Sequence, residues 1–197
     1  MEHYDARTAL VVVDVQNDFT DPAGGLAVAD AEAILPPVNA RIEACHAAGG
    51  LVVYTQDWHP PRTPHFDTDG GPWPVHCVRD TWGAELHPGL AVDGPVVRKG
   101  VDGGDGYSGF SVRDPVSGDV SRTELGALLE AHDVARVVVV GLAGDVCVAA
   151  TAEDAVTSGF ATLVPLEATR MVELHEGDGA RAVARMRAAG VEVAGDG

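Results

Sequence analysis

Four reactive side chains follow four apolar runs in this sequence: Asp14 after residues 8–13, Asp57 after 51–54, Lys99 after 95–98 and Cys147 after 136–140. Two carboxylates, an ammonium and a thiol are the parts of a covalent hydrolase, which needs a nucleophile, a base and a charge stabiliser. Cys147 is the most informative of the four. It follows the turn Gly141-Leu142-Ala143-Gly144-Asp145-Val146 and precedes residues 148–158, which read as a helix. Outward-pointing N–H groups and the helix dipole at such a turn favour negative charge, so a lowered thiol pKa is expected. Each residue also has a plainer reading. Cys147 could fill a core gap, Asp14 could cap the turn at 15–19, and Lys99 could be a solvated amine. Their joint placement at successive strand ends favours chemistry, because open α/β sheets bind ligands beyond the carboxyl ends of their strands.

A second constellation lies just downstream. Asp57 and His59 alternate where a strand would fray into a loop, and His65 and His76 follow in that loop. One carboxylate and two or three imidazoles suit one divalent transition metal, zinc first, with iron or manganese as alternatives and water in the open positions. A set of ordinary loop histidines is the competing reading. Cys77 should point away from its neighbour His76, which argues against a ligand role. Asp102-Gly103-Gly104-Asp105-Gly106 looks like a calcium loop but lacks the spacing and terminal Glu of an EF-hand. Gly141-x-x-Gly144 lacks the G-x-G-x-x-G of a dinucleotide loop.

The elements that must position these groups follow from the apolar pattern. Unbroken Val-rich runs at 8–13, 51–54, 95–98 and 136–140, with shorter ones at 161–165 and 191–194, indicate strands covered on both faces. Helical patterns at 37–48, 123–132, 148–158 and 177–189 lie between them, three of them ending at glycine. This order predicts a three-layer α/β/α fold with a doubly wound, mostly parallel six-stranded sheet, in one domain over residues 1–197. Residues 58–92 interrupt the rhythm with a long Pro- and Gly-rich loop, and loops of that length in compact domains are usually functional. Seven of the ten aromatics fall in predicted loops (Phe19, Trp58, Phe66, Trp73, Trp82, Tyr107 and Phe110), which suggests a wall for a flat apolar ligand.

Composition narrows the partners. Thirteen Lys and Arg against thirty Asp and Glu give a net charge of −17, which disfavours nucleic acid and anionic membranes and suits a small neutral substrate. No apolar run reaches 18 residues, and the start Met1-Glu2-His3-Tyr4-Asp5 lacks the features of a signal peptide. With three cysteines, an odd number, the expected compartment is the reducing cytoplasm.

The segments Asp14-Val15-Gln16-Asn17-Asp18-Phe19, Asp57-Trp58-His59, Trp73-Pro74-Val75-His76-Cys77, Lys99-Gly100 and Asp145-Val146-Cys147-Val148 resemble the isochorismatase-like cysteine hydrolases, and within them the nicotinamidases. The resemblance spans most of the chain in the family's order. It implies Cys147 as nucleophile, Asp14 as proton acceptor and later activator of water, and Lys99 as charge stabiliser between them. It also implies a cis peptide at Leu142–Ala143, with the backbone N–H groups of Ala143 and Cys147 as oxyanion hole. Asp57, His59 and His76 would hold the metal, with His65 as an additional ligand. Phe19, Trp73 and Tyr107 would line a pocket for nicotinamide or pyrazinamide-like analogues. Val146 departs from relatives that carry an aromatic residue or His before the cysteine. The implied activity is hydrolysis of nicotinamide to nicotinic acid and ammonia in NAD salvage. Sister N-carbamoyl-amine or ureidoacrylate amidohydrolases, and a non-catalytic metal-binding protein, are the alternatives. A homo-oligomer is compatible with all of these readings.

Overall fold

The first strand shows why the apolar runs do not alternate. In the computed structural model, which describes residues 4–195, Ala9, Val11 and Val13 face one helical layer while Leu10 and Val12 face the other. Both faces are covered, so every position from Ala9 to Val13 is apolar. Part of the acidic start, Met1-Glu2-His3, lies outside the described residues.

The chain runs β1 (Thr8–Val13), α1 (Asn17–Thr20), α2 (Leu35–Ala47), β2 (Leu51–Asp57), β3 (Val96–Lys99), β4 (Ser111–Arg113), β5 (Val120–Arg122) and α3 (Leu125–Ala131). It continues through β6 (Arg136–Leu142), α4 (Ala149–Thr157), β7 (Ala161–Pro165), β8 (Thr169–Arg170), α5 (Asp178–Ala188) and β9 (Glu192–Ala194). The six expected strands form one parallel path in the order β3-β2-β1-β6-β7-β9. A seventh strand, the two-residue β8, pairs with β6 beyond the point where β7 has left it. Two residues carry no readable periodicity, which is why the sequence shows six strands. The hairpin β4–β5 is also new; its second strand is exposed throughout and has no apolar face to reveal it.

Val38, Ile42 and Cys45 of α2 cover one face of the sheet. Leu125 and Leu129 of α3, Ala149, Ala152 and Ala155 of α4, and Ala182 and Met186 of α5 cover the other. Strand order reverses between β1 and β6, and a crevice opens beyond the carboxyl ends of strands at such a point. Among the described residues no helix is long and apolar enough to cross a membrane.

Glycines let the two central strands approach at this crevice. Gly141 opposes Val13 and sits at φ +110°, and a Cβ there would stand 2.1 Å from the Val13 carbonyl oxygen. Gly144 lies against Met171, whose sulfur would be 2.5 Å from an added Cβ. The Gly-x-x-Gly spacing therefore serves close packing. Gly141→Ala is expected to lower the unfolding free energy by about 2–5 kcal/mol, from backbone strain plus overpacking. Gly159 has φ +93° with nothing within 4 Å, so Gly159→Ala should cost only about 1–2 kcal/mol. Urea titrations of the two variants check this, and equal losses would contradict the Gly141 contact.

Candidate active site

The four strand-end residues meet in the crevice. Lys99 ends β3 with its Nζ 2.7 Å from Asp14 Oδ2 and 2.5 Å from Asp57 Oδ1; it also donates to the Gly106 carbonyl oxygen and lies 3.9 Å from Cys147 Sγ. Asp14 and Lys99 are both 0% exposed, which excludes the solvated amine, and α1 has no side-chain cap hydrogen bond, which excludes Asp14 as its cap. Asp14 leaves β1 at φ +49°, a left-handed conformation that Asp tolerates, and Thr55 Oγ1 donates to its Oδ1 at 2.6 Å. An oxygen from each of Asp14 and Asp57 and the Cys147 sulfur lie within 4.8 Å of one another.

One buried ammonium faces two carboxylates, and it cannot neutralise both. Burial would raise Asp57, but Lys99 and the imidazoles of His59 and His76 hold it well below the usual carboxylate range. Among the described residues Asp14 has no imidazole partner, and burial raises it to about 6 against the pull of Lys99. Lys99 would be lowered by burial, yet Asp14 and Asp57 hold it well above its usual value.

The thiol corrects an expectation. Burial, reinforced by Asp14 and Asp57, pushes Cys147 well above the ordinary thiol range although Lys99 pulls it down. Cys147 also sits inside a π turn, Gly144–Val148, and α4 begins only at Ala149. Burial thus favours a neutral thiol at Cys147 beside the Asp14 carboxylate, and not a thiolate made by a helix dipole. The Leu142–Ala143 peptide is cis, and Ala143 and Cys147 line the same cavity.

The second constellation assembles beside the first, with Asp57 common to both. His59, His65 and His76 are all buried, with one ring nitrogen of each within 4.8 Å of the others. Nε2 of His59 and of His76 lie 3.8 and 4.0 Å from Asp57 Oδ2. Burial lowers His76 to about 4 and also lowers His65, so these rings stand neutral, as ligands must. Both nitrogens of His59 are buried without a hydrogen-bond partner. An orphaned imidazole against two others and a carboxylate fits a transition-metal ion. His76 Nδ1 is held at 2.7 Å by the Pro74 carbonyl oxygen, leaving its Nε2 to ligate. Cys77 points away, its sulfur 3.9 Å from the Gly83 carbonyl oxygen.

The two sets meet at one cavity, lined by Cys147, Asp57, His65 and His76, with Asp14, Lys99 and His59 buried next to them. Phe19, Trp73 and Tyr107 line it as expected, and Trp73 Nε1 donates to Tyr107 Oη at 2.9 Å. The other loop aromatics do not. Phe66 packs edge-on to His59, Phe110 joins the core, Trp82 is half exposed and Trp58 lies beneath the Arg98 guanidinium, 3.8 Å from its ring centre. Leu26, Val28, Val146 and Val172 complete the walls. Sequence reasoning missed Leu26, Val28 and Val172, which come from irregular segments joined only by the tertiary fold.

It also missed the supports within its own motifs. Gln16 donates to the carbonyl oxygens of Asp57 and Ala84 (2.8 and 2.9 Å) and accepts from Asp57 N–H at 2.8 Å. Asp18 accepts from Cys77 N–H at 2.6 Å and Gly25 N–H at 2.8 Å. The alternation Asp14, Gln16, Asp18 was the readable signal. Asp145 accepts from the N–H groups of Val172 and Glu173, both at 2.9 Å, and so holds the segment bearing Val172 over the cavity.

Fold and site together define an α/β protein with a buried carboxylate–ammonium–thiol set facing a three-histidine cluster. The isochorismatase domain family matches residues 8–195, and the chain belongs to that family. It is 37% identical to the nicotinamidase of Acinetobacter baylyi over 203 residues, covering 93% of this chain and 90% of that protein. Among solved structures, PnC1 from L. infantum in complex with nicotinate is similar at TM-score 0.88 and 36% identity, covering 97% of this chain and 94% of that one. The pyrazinamidase of Pyrococcus horikoshii in complex with zinc is similar at TM-score 0.84 and 36% identity, covering 96% and 99%.

Removing the shared ammonium should leave two buried carboxylates without their cation. Lys99→Met is expected to lower the unfolding free energy of metal-free protein by about 3–5 kcal/mol, read by urea titration. An unchanged midpoint would show that the carboxylates do not depend on Lys99.

Proposed function

We propose that this chain is a metal-dependent cysteine amidohydrolase that converts nicotinamide and water to nicotinic acid and ammonia through a thioester, in NAD salvage. The observation that carries the reading is one aromatic-walled cavity lined by Cys147, Asp57, His65 and His76, with Lys99 and Asp14 buried beside Cys147 and His59 buried beside the other imidazoles. The curated relatives and the nicotinate complex of a structural neighbour support the substrate class. The residues 1–197 act as one catalytic domain.

An amide is a poor electrophile, so the reaction needs a strong nucleophile, a place for the oxyanion and a proton for the leaving amine. Asp14, raised to about 6, takes the thiol proton as Cys147 Sγ attacks the carboxamide carbon. The backbone N–H groups of Ala143 and Cys147 receive the oxyanion. Asp14 returns the proton to the departing ammonia, leaving an acyl group on Cys147. Asp14 then takes a proton from water as that water attacks the thioester, and nicotinic acid leaves with the thiol restored. Lys99, 3.9 Å from the sulfur, balances the negative charge that builds beside Asp14.

Asp57, His59, His76 and His65 would hold the metal. Its chemistry, when bound, is to grip the pyridine nitrogen and so orient the ring. Phe19, Trp73 and Tyr107 stack around that ring and exclude water. A zinc-bound neighbour supports zinc as the ion.

Three outcomes are expected. Ammonia release from nicotinamide should stop with chelator and return with zinc, manganese or ferrous iron. Release from an N-carbamoyl amine in place of nicotinamide would move the assignment to a sister hydrolase. Cys147→Ala should lower turnover by about 10⁴–10⁶-fold while calorimetry still detects nicotinate binding; substantial residual hydrolysis would remove Cys147 as nucleophile. His59→Ala should lose metal by elemental analysis and raise KM, and unchanged metal content would remove it as a ligand.

A further inference from the structure

The segment 103–107 overlaps the calcium-like motif Asp102–Gly106, for which the reaction has no use, and it touches the site through Gly103, Asp105, Gly106 and Tyr107. Thr63 Oγ1 donates to the Gly103 carbonyl oxygen at 2.6 Å. His65 Nδ1 lies 2.7 Å from Asp105 Oδ1. Lys99 donates to the Gly106 carbonyl oxygen, and Tyr107 accepts from Trp73. Residues 63 and 65 thus pair in step with 103 and 105, so the strip runs alongside the loop that carries His65. Neither partner of the His65–Asp105 contact is solvated, since their exposures are 3% and 8%.

The strip is itself fixed. Asp105 N–H donates to the Arg113 carbonyl oxygen at 2.7 Å, and Arg113 N–H returns the bond at 3.1 Å, tying it to β4. Gly104 and Gly106 allow the approach. A Cβ on Gly104 would meet Val112 Cγ1 at 2.5 Å, and one on Gly106 would meet Asp57 Oδ1 at 3.1 Å. The glycine-rich pattern is therefore what lets a carboxylate between two glycines reach an imidazole forty residues away.

A carboxylate only accepts hydrogen bonds, so the imidazole nitrogen it holds must be the N–H. In His65 that places the proton on Nδ1 and leaves the Nε2 lone pair for the cluster with His59 and His76. A carboxylate on the far nitrogen also fixes the ring plane and strengthens the ring as a donor. We infer that Asp105 is the positioning residue that makes His65 a ligand of the metal, and that the strip 103–107 braces the metal wall of the cavity from β4. The inference rests on the metal-site reading above.

The test measures affinity of the full chain for zinc by competition with a chromophoric chelator, and the visible spectrum of the cobalt(II)-substituted protein. Five proteins are compared: wild type, Asp105→Asn, Asp105→Ala, His65→Ala and the Asp105→Asn/His65→Ala double variant. Asp105→Asn is nearly isosteric, and Asp105→Ala serves as a second variant, with circular dichroism of each metal-free protein confirming the fold. Asp105→Asn should weaken zinc binding about 10–100-fold and change the cobalt spectrum toward that of His65→Ala. In the His65→Ala background the same change should have no further effect, because Asp105 acts only through that ring. Unchanged zinc affinity in Asp105→Asn, or an equal loss in both backgrounds, would overturn the inference while leaving the metal site standing. A wild-type protein that takes up no zinc would overturn the metal-site reading and this inference together.

Discussion

One buried ammonium shared by two carboxylates organises the site. Lys99 lies within hydrogen-bonding distance of both Asp14 and Asp57 and has no solvent contact. Moving such charges out of water costs several kcal/mol each, so the three can only be buried together. Their division of labour follows from what else each carboxylate meets. Asp57 faces two imidazoles and stays ionised, ready for a cation. Asp14 faces a hydroxyl and a thiol, and burial raises its proton affinity. One cation therefore stands between a carboxylate of raised proton affinity and a carboxylate that faces the imidazole cluster.

That arrangement places demands on the sheet. The two carboxylates leave adjacent parallel strands, β1 and β2, and the ammonium leaves the next one, β3. The thiol comes from the other side of the switch point, after β6. Strand order β3-β2-β1-β6 brings all four to one rim, and the Gly141 contact with Val13 sets how closely the two halves meet. The loop between β2 and β3 then closes over the rim, carrying three imidazoles and Trp73 on one stretch of chain.

Much of this was readable before the fold was known. Strands buried on both faces leave unbroken Val runs, so β1, β2, β3 and β6 and the reactive residue beyond each were visible. The histidines stood out because three fall in one loop. Other features depend on tertiary context. Leu26, Val28 and Val172 line the cavity from irregular segments, and β8 and β5 are too short or too exposed to leave a pattern. The thiol was misjudged for the same reason: a turn before a helix suggests a lowered pKa, whereas burial beside two carboxylates raises it. Asp105 looked like part of a discarded calcium motif because its partner, His65, is forty residues distant.

In the proposed reaction this charge arrangement turns a neutral buried thiol into the attacking atom. The direct measurement is rapid acid quench of the full chain during its first turnover of nicotinamide, followed by mass spectrometry of the peptide that carries Cys147. The account requires a nicotinoyl thioester on Cys147 that forms before free nicotinic acid and decays as the acid accumulates. Nicotinic acid accumulating while Cys147 stays unmodified at every time point, or an acyl group on another residue, would contradict it.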